Sequence, residues 1–311
     1  MNADAPSDGL VLLTCSMARD IDIFEVLARS VDRHVDQDIR HMVVVPGKDC
    51  AAFRRFATDQ REIVAQESVL PLRLFALPRQ LALLSFLSGA LRRPLYLTPR
   101  FDLVRGWMIQ QILKIEASRR CTSRAVMHVD SDVFFIRRLA TTDAFDAEGR
   151  TRFFHAPEAG AIAAHRPWVE AAAQCLGIPV PAGFATHYIE NCVLWSTDMA
   201  RQMIAHIEAA HGRPYHEVLL RHGTISEYFI YGLYADLIAQ DQGLAAETES
   251  YCNSFWPVTA DAPFDVDLAI AQMTPKQCAM AVQSTHDFPV AERARSFETA
   301  TRALSGAAVQ A

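Results

Sequence analysis

Hydrophobic and polar residues alternate along the first part of the chain in blocks that predict strands and helices in turn. Leu10 to Cys15 reads LVLLTC, an apolar run with the length of a buried strand, and polar residues follow it. Asp22 to His34 carries apolar residues at the i, i+3, i+4 spacing of a helix. Met42 to Val45 and Glu62 to Ala65 predict two more strands, with a short helix at Cys50 to Ala57 between them. This β-α-β-α-β order predicts a parallel sheet with right-handed crossovers.

The rest of the chain continues the alternation after a proline-interrupted stretch at residues 66–101. We expect one main domain over residues 9–290, a flexible N-terminus at residues 1–8, and a surface helix or disordered tail at residues 291–311. The predicted elements are a helix at Asp102 to Ser118, a buried strand at Ala125 to Val129, a helix at about Pro167 to Leu176, a strand at Asn191 to Trp195, and helices at Asp198 to Ala210 and Ser226 to Ile238.

Composition and charge narrow the class of protein. The chain has 311 residues, of which 50% are hydrophobic and 21% charged, which is typical of a globular protein. A net charge of −6 gives no electrostatic reason to expect nucleic acid as a partner. No apolar run reaches the roughly 20 residues needed to span a bilayer, and residues 81–91 are expected to form a buried helix. Seven cysteines without a CxxC pair, behind a polar N-terminus, predict free thiols in a cytoplasmic protein.

The strongest chemical signal is an Asp-x-Asp at the end of a buried strand, in the segment AVMHVDSDVFF. Residues i and i+2 of a strand point to the same face, so Asp130 and Asp132 lie roughly 6 to 7 Å apart at Cα. Two carboxylates at this separation repel each other unless a cation or a shared proton lies between them. Mg²⁺ usually takes one or two carboxylates together with substrate phosphates. The pair therefore predicts a site for a metal and a diphosphate, with a simple polar turn as the alternative.

The end of the first strand is the second place where a ligand is expected. Ligands of parallel α/β sheets bind beyond the carboxyl ends of the strands, where Thr14, Ser16 and Arg19 are predicted to lie. No GxGxxG follows this strand, so the dinucleotide-binding fingerprint is absent. Arg19 and Asp20 have an alternative interpretation as the start of the first helix.

Four blocks together resemble the GT-A-fold glycosyltransferases, and more narrowly a bacterial glycosyltransferase-like family of unknown function. The resemblance covers about residues 9–290 and implies an α/β fold, GT-A-like and Rossmann-related, with a mostly parallel sheet flanked by helices and with helical C-terminal additions. The blocks that carry it are LLTCSMARD (12–20), GWMIQQILKIEAS (106–118), MHVDSDVFF (127–135) and TISEYFIYGLY (224–234).

The resemblance implies a role for each matching residue on the donor side. Asp130 and Asp132 match the Asp-x-Asp that holds Mn²⁺ or Mg²⁺ and the ribose or diphosphate of a nucleotide sugar. Thr14, Ser16 and Arg19 match the turn that meets the nucleotide base and ribose. In many retaining members a C-terminal histidine completes the metal site, and the matching position in this chain is His286 in QSTHDFP.

The helical blocks supply the other candidates. Gln111 and Lys114, in the block WMIQQILK, are expected beside the donor, where Lys114 adds positive charge; a solvated helix face is the alternative. Glu227 is expected on the acceptor side as a base, a nucleophile or a sugar ligand, although an acid in the first turn of a helix is also favoured by the helix dipole. Asp132 is expected to act in catalysis through the metal. Trp107, Trp195 and Trp256 are expected mostly in the core, with stacking on sugar rings as the alternative.

Together these observations predict a metal-dependent glycosyltransferase that moves a sugar from a nucleotide diphosphate donor to a saccharide or glycolipid acceptor, as in surface polysaccharide synthesis. Peripheral membrane contact through a lipid-linked acceptor stays open. A non-catalytic nucleotide- or glycan-binding relative of the same fold is the main alternative. A phosphatase of the haloacid dehalogenase type is disfavoured, because more than 120 residues precede the Asp-x-Asp and no paired acidic motif follows it.

Overall fold

The computed structural model describes residues 9–76, 95–98, 103–157, 163–240, 243–256, 263–284 and 288–307. Its strands are β1 Leu10–Cys15, β2 Arg40–Val45, β3 Arg61–Ala65, β4 Phe75–Ala76, β5 Leu95–Leu97, β6 Leu103–Arg105, β7 Ala125–His128, β8 Val133–Phe135, β9 Thr151–Phe154, β10 Val193–Ser196, β11 Leu244–Glu247, β12 Cys252–Phe255 and β13 Ala279–Val282. Its α-helices are α1 Ile21–His34, α2 Cys50–Phe53, α3 Gln66–Val69, α4 Gly106–Arg120, α5 Arg166–Leu176, α6 Thr197–His211, α7 Tyr215–Leu219, α8 Glu227–Tyr234, α9 Val266–Ala271 and α10 Val290–Ala307. A π-helical turn, Ala235–Ala239, continues α8.

The main sheet has the strand order β10-β7-β1-β2-β3. Strands β7, β1, β2 and β3 are parallel, and β10 pairs antiparallel with β7. The chain therefore runs outward from β1 through β2 to β3 and later returns to add β7 on the other side of β1. This reversal between β1 and β7 is a topological switch point, the position where open α/β sheets bind their ligands.

Both faces of the main sheet are buried, as the near-continuous apolar strands predict. Val11 and Leu13 of β1 belong to a core that also contains residues of α4, α5, α6 and α8. Leu10 and Leu12, which alternate with them, belong to a second core on the other face with residues of α1. The predicted fold class, α/β with a mostly parallel sheet between helices, is confirmed by this arrangement.

Smaller sheets extend the molecule around the main one. β12 pairs in parallel with β13, which pairs antiparallel with β8, and β8 follows directly after Asp132. β11 pairs in parallel with β9, and β4, β5 and β6 form an antiparallel sheet. α10 contacts α1, and its Phe297 and Ala300 are buried in a third core with Phe134 of β8.

Most local predictions agree with the structure to within a few residues, and one helix start is wrong. The helix expected from Asp102 begins at Gly106, because residues 103–105 pair with β5 as strand β6 instead. Pairing with a distant strand outweighs the helical pattern there, and Gly106 marks the change. α4 is also buried nearly all round, including Gln111, Lys114, Glu116 and Ser118, so the solvated face considered for this helix is not observed.

The predicted tail is a helix that packs against the domain. One face of α10 is exposed to solvent, whereas Arg293, Phe297 and Ala300 on its other face are buried. The division of the chain at residue 290 stays a prediction, and residues 1–8, 308–311 and the helix expected at residues 81–91 lie outside the described residues. None of the helices in the described ranges combines the length and the hydrophobicity of a membrane span. All seven cysteines lie within these ranges and are free thiols, as predicted.

Candidate active site

A cleft with a volume of ≈ 230 Å³ lies at the switch point, beyond the carboxyl ends of β1 and β7. The turn after β1 lines one wall with Ser16 and Arg19, and the first turns of α4 line another with Trp107 and Gln110. The Asp-x-Asp turn forms its floor: residues 129–132 connect β7 to β8, and residues 130–132 line the cleft. The sheet topology therefore brings together the strand end and the acidic pair that the sequence marked separately.

Asp130 and Asp132 differ in exposure and in partners. The Asp130 side chain is 40% exposed, and its Oδ1 lies 3.1 Å from Lys114 Nζ. Asp132 is 8% exposed, and its Oδ2 accepts a hydrogen bond of 2.7 Å from the backbone N–H of Ser284. Burial, and then the neighbouring charge of Asp130, raise the pKa of Asp132 to about 6. A divalent cation between the carboxylates would relieve the repulsion that contributes to this shift.

Lys114 lies under the acidic pair in a buried ionic cluster. Its Nζ is 3.1 Å from Glu227 Oε1 and donates a hydrogen bond of 3.0 Å to the Tyr228 hydroxyl, in addition to the contact with Asp130. Burial lowers the pKa of Lys114, but the opposing effects of Asp130, Tyr228 and Glu227 prevail, so the pKa is well above its ordinary value. The ammonium is therefore charged, and it compensates the buried end of Asp130.

Glu227 begins α8 and is 1% exposed. Gln111, at 4% exposure, accepts a hydrogen bond of 3.1 Å from the Glu227 backbone N–H through its Oε1. Burial raises the pKa of Glu227, while Lys114 lowers it. Glu227 contacts Lys114 and Gln111, and neither Glu227 nor Gln111 lines the cleft. The acceptor-side role of Glu227 and the donor-side role of Gln111 stay predictions.

The three residues predicted after β1 have different surroundings. The Ser16 hydroxyl accepts a hydrogen bond of 2.9 Å from Ser131 and lines the cleft, so it connects the two strand ends. Arg19 also lines the cleft, with a side chain that is 60% exposed and 3.3 Å from Asp20. Thr14 is fully buried and lies 3.0 Å from the His41 ring, so its hydroxyl contacts the protein interior instead of the cleft.

The acidic pair suits a metal ion that shares its coordination with phosphate. Within the described ranges, no group of three or more His, Cys, Asp or Glu side chains is placed to hold a metal. Two carboxylates are nevertheless enough for Mg²⁺ or Mn²⁺ when substrate phosphates supply further oxygens. His286 lies outside the described residues, and its place in the metal site stays a prediction. Ser284, two positions before it, is hydrogen-bonded to Asp132.

Sequence reasoning missed Arg293 and Ser284, which support the acidic turn from the C-terminal part of the chain. Arg293 is 1% exposed, and its Nη1 donates to the backbone oxygens of Asp132, at 3.1 Å, and Val282, at 2.7 Å. Its Nε and Nη2 are buried and have no hydrogen-bond partner among the residues that the structure describes. No local pattern reveals these contacts, because 161 positions separate Arg293 from Asp132.

Comparisons with known proteins give a family and a distant likeness of shape. A structure of the galactosyltransferase LgtC with donor and acceptor sugar analogues is 12% identical, with 93% of this chain and 95% of that chain covered and a TM-score of 0.44. Mouse xyloside xylosyltransferase 1 in its apo form is 11% identical, with 90% and 99% covered and a TM-score of 0.48. At these values the likeness carries no argument about activity.

No curated protein matches the chain. One family model matches residues 9–298, which is most of the chain and includes the cleft, the acidic pair and Arg293. Its description is "Family of unknown function (DUF6492)", in agreement with the predicted relation to a family without an assigned activity. The protein belongs to this family.

Proposed function

We propose that this protein is a metal-dependent glycosyltransferase that transfers a sugar from a nucleotide diphosphate donor to a saccharide or glycolipid acceptor, as in surface polysaccharide synthesis. The observation that carries the proposal is the position of Asp130 and Asp132. They lie at the carboxyl end of β7, at the switch point of a parallel sheet and on the floor of a cleft that β1 also lines.

The charges around the cleft support a metal-dependent reaction. Asp20, Asp130 and Asp132 line it, and Arg19 is the one cationic residue among the described lining residues. A diphosphate would be repelled by this surface unless a divalent cation came with it. A metal held by Asp130 and Asp132 would neutralise a diphosphate leaving group as a Lewis acid.

The cleft wall formed by Ser16, Arg19, Trp107 and Gln110 offers groups for a nucleoside. Trp107 provides an aromatic surface, and the other three provide hydrogen-bond donors and acceptors. Lys114 and Glu227 act from below the cleft in this proposal. They fix Asp130, and Glu227 does not take a proton from the acceptor, because its carboxylate is buried and paired with Lys114.

Thermal unfolding with UDP, GDP and CMP, each with and without Mn²⁺, tests the proposal. A ligand that binds only the folded state at about 100 times its Kd adds about 2.7 kcal/mol of stability, so one nucleotide should raise the unfolding midpoint by a few degrees when Mn²⁺ is present. Asp132→Asn should abolish this shift. Asp59→Asn, the same change at an exposed position outside the cleft, should retain it.

Turnover separates the enzyme from a binding protein. Incubation with Mn²⁺ and UDP-glucose, UDP-galactose or GDP-mannose, with free nucleotide as the measured product, should show release from one donor and none with Asp132→Asn. Metal-dependent binding without release from any of these donors, even with added saccharides, would favour the non-catalytic relative. The observation that favours a non-catalytic relative is the burial of Glu227, because it makes the acceptor base predicted from the sequence unavailable.

A further inference from the structure

A second cavity of ≈ 140 Å³ shares Asp130, Asp132 and Ser284 with the cleft. Asn191, Trp256 and Gln283 line it, and none of these three lines the cleft on the β1 side. The acidic pair therefore lies between two spaces. If a nucleotide occupies the cleft with its diphosphate at the acidic pair, the second cavity is next to the group beyond the diphosphate.

Trp256 provides this cavity with an aromatic surface. Trp256 is 49% exposed, whereas Trp195 is fully buried. The Trp256 indole lies close enough to the carboxylate of Glu190 to act on that group as a hydrogen-bond donor. Burial raises the pKa of Glu190, and the indole contact opposes that shift. The aromatic face of Trp256 suits stacking against the apolar face of a ligand.

Asn191 provides a polar group with a fixed orientation. Its backbone N–H donates to Glu190 Oε1 at 2.8 Å, and its Nδ2 donates to the Ser254 hydroxyl at 3.1 Å. Ser254 in turn donates to Glu190 Oε1 at 2.5 Å. One N–H of Nδ2 binds Ser254, so the side-chain carbonyl oxygen of Asn191 can accept from a ligand hydroxyl and the second N–H of Nδ2 can donate to one.

Backbone strain accompanies this arrangement. Cys192, immediately after Asn191, has φ of 60°, a left-handed conformation that residues other than glycine and asparagine seldom adopt. The Cys192 side chain is 1% exposed, so the core holds this residue in place. Strained backbone of this kind occurs preferentially at binding and active sites, where it fixes a neighbouring side chain.

We propose that this second cavity is a saccharide subsite, in which a pyranose ring stacks on Trp256 and its hydroxyls bind the amides of Asn191 and Gln283. The inference rests on the proposed function for the identity of the neighbouring diphosphate. An aromatic face combined with amide groups is the chemistry that recognises a sugar ring, whose one face is apolar and whose rim carries hydroxyls. The ring belongs either to the nucleotide-bound donor or to the acceptor, and the two sources give different results in the test.

The test compares wild type with Trp256→Ala, Trp256→Phe and a matched control. Leu268→Ala removes a side chain of similar exposure, 55%, that lines neither cavity. Titrations with Mn²⁺ measure the Kd of UDP, UDP-glucose and UDP-galactose, and of GDP and GDP-mannose. Saturation-transfer NMR then measures binding of methyl glucoside, galactoside, mannoside and xyloside to the protein alone and with Mn²⁺–UDP or Mn²⁺–GDP.

If the sugar ring belongs to the donor, Trp256→Ala should raise the Kd of a nucleotide sugar by about tenfold and leave the Kd of the parent nucleotide unchanged. If it belongs to the acceptor, the same variant should remove NMR contacts to one methyl glycoside and leave nucleotide sugars unchanged. Trp256→Phe keeps an aromatic ring and should retain most of the binding, and Leu268→Ala should match wild type.

Two results would contradict the proposal of a saccharide subsite. The first is that wild type binds no methyl glycoside and binds each nucleotide sugar no better than its nucleotide. The second is that Trp256→Ala and Leu268→Ala behave alike. Failure of the proposed function gives a different result, in which no nucleotide binds with Mn²⁺ while Trp256-dependent contacts to a methyl glycoside persist. Unfolding midpoints without ligand show whether each variant is folded.

Discussion

Lys114 lies on a helix face that the sequence marks as polar, and in the folded protein that face is buried. Its ammonium contacts Asp130 and Glu227, and Glu227 lies 113 positions further along the chain. Desolvation of a lysine and a glutamate is unfavourable for each alone and is offset only when the two are paired. The pair therefore has a stability consequence that can be measured separately from binding.

We expect Lys114→Met to lower the free energy of unfolding by about 3–5 kcal/mol, because Glu227 is left buried without its cation. Glu227→Gln should destabilise the protein by less than Lys114→Met, because Lys114 loses one carboxylate but retains Asp130 as its partner. The double variant should be less destabilised than the sum of the two single variants. Urea unfolding of all four proteins measures the coupling, and additive single effects would show that the two charges do not interact.

The buried histidine under Thr14 gives the stability of the protein a pH dependence. His41 is fully buried, and Arg61 Nε donates a hydrogen bond of 3.0 Å to its Nδ1. Burial and then the charge of Arg61 lower the pKa of His41 well below its ordinary value. Below about pH 6.5 the unfolded chain binds a proton at this position and the folded protein does not. This histidine therefore makes the folded state less stable as the pH falls.

We expect His41→Gln to remove this effect. At pH 7.5 the wild type should be the more stable protein, because glutamine fits the pocket between Thr14 and Arg61 less well. The difference should shrink by up to about 1.4 kcal/mol for each pH unit below 6.5, since only the wild type loses the contribution of His41. Urea unfolding at pH 7.5, 6.5 and 5.5 measures the difference, and a constant value across this range would contradict the assignment.

Helix α10 is the element whose position in the structure differs most from the position that its sequence predicts. Its pattern predicts an exposed helix or a tail, because alanine, serine and charged residues dominate it. In the structure its first turns bring Arg293 under the Asp-x-Asp turn, where the guanidinium binds two backbone oxygens. The helix therefore supports the turn that carries both carboxylates.

We expect Arg293→Met to weaken Mn²⁺-dependent nucleotide binding by about tenfold, because the turn at Asp132 loses a charged hydrogen-bond donor. Arg293→Lys should restore part of the affinity, since an ammonium can reach one of the two oxygens. Arg295→Met is the control, as its side chain is 70% exposed on the same helix and contacts Glu292. Equal nucleotide affinities for Arg293→Met and Arg295→Met would show that Arg293 does not contribute to nucleotide binding.

For the whole molecule, the sequence predicts what depends on neighbours in the chain. The strand β1, the helix α1 and the acidic pair follow from local runs and periodicity, and the parallel sheet follows from their order. The contacts of Lys114 with Glu227 and of Arg293 with Asp132 do not, because they form only when the sheet brings distant segments together. The burial of Glu227 has the same origin, since the pattern of α8 does not reveal what packs against its first turn.

The reversed strand β10 has a consequence for how such a protein can change over evolution. Because β10 runs against β7, the segment that enters β10 lies at the edge where β7 ends, and Asn191 comes from that segment. Insertions, deletions and substitutions before β10 would therefore alter the wall of the second cavity, while the strand and its partner keep their register. Relatives that share the acidic pair can diverge in ligand preference through this entry segment, without any change to the floor of the cleft.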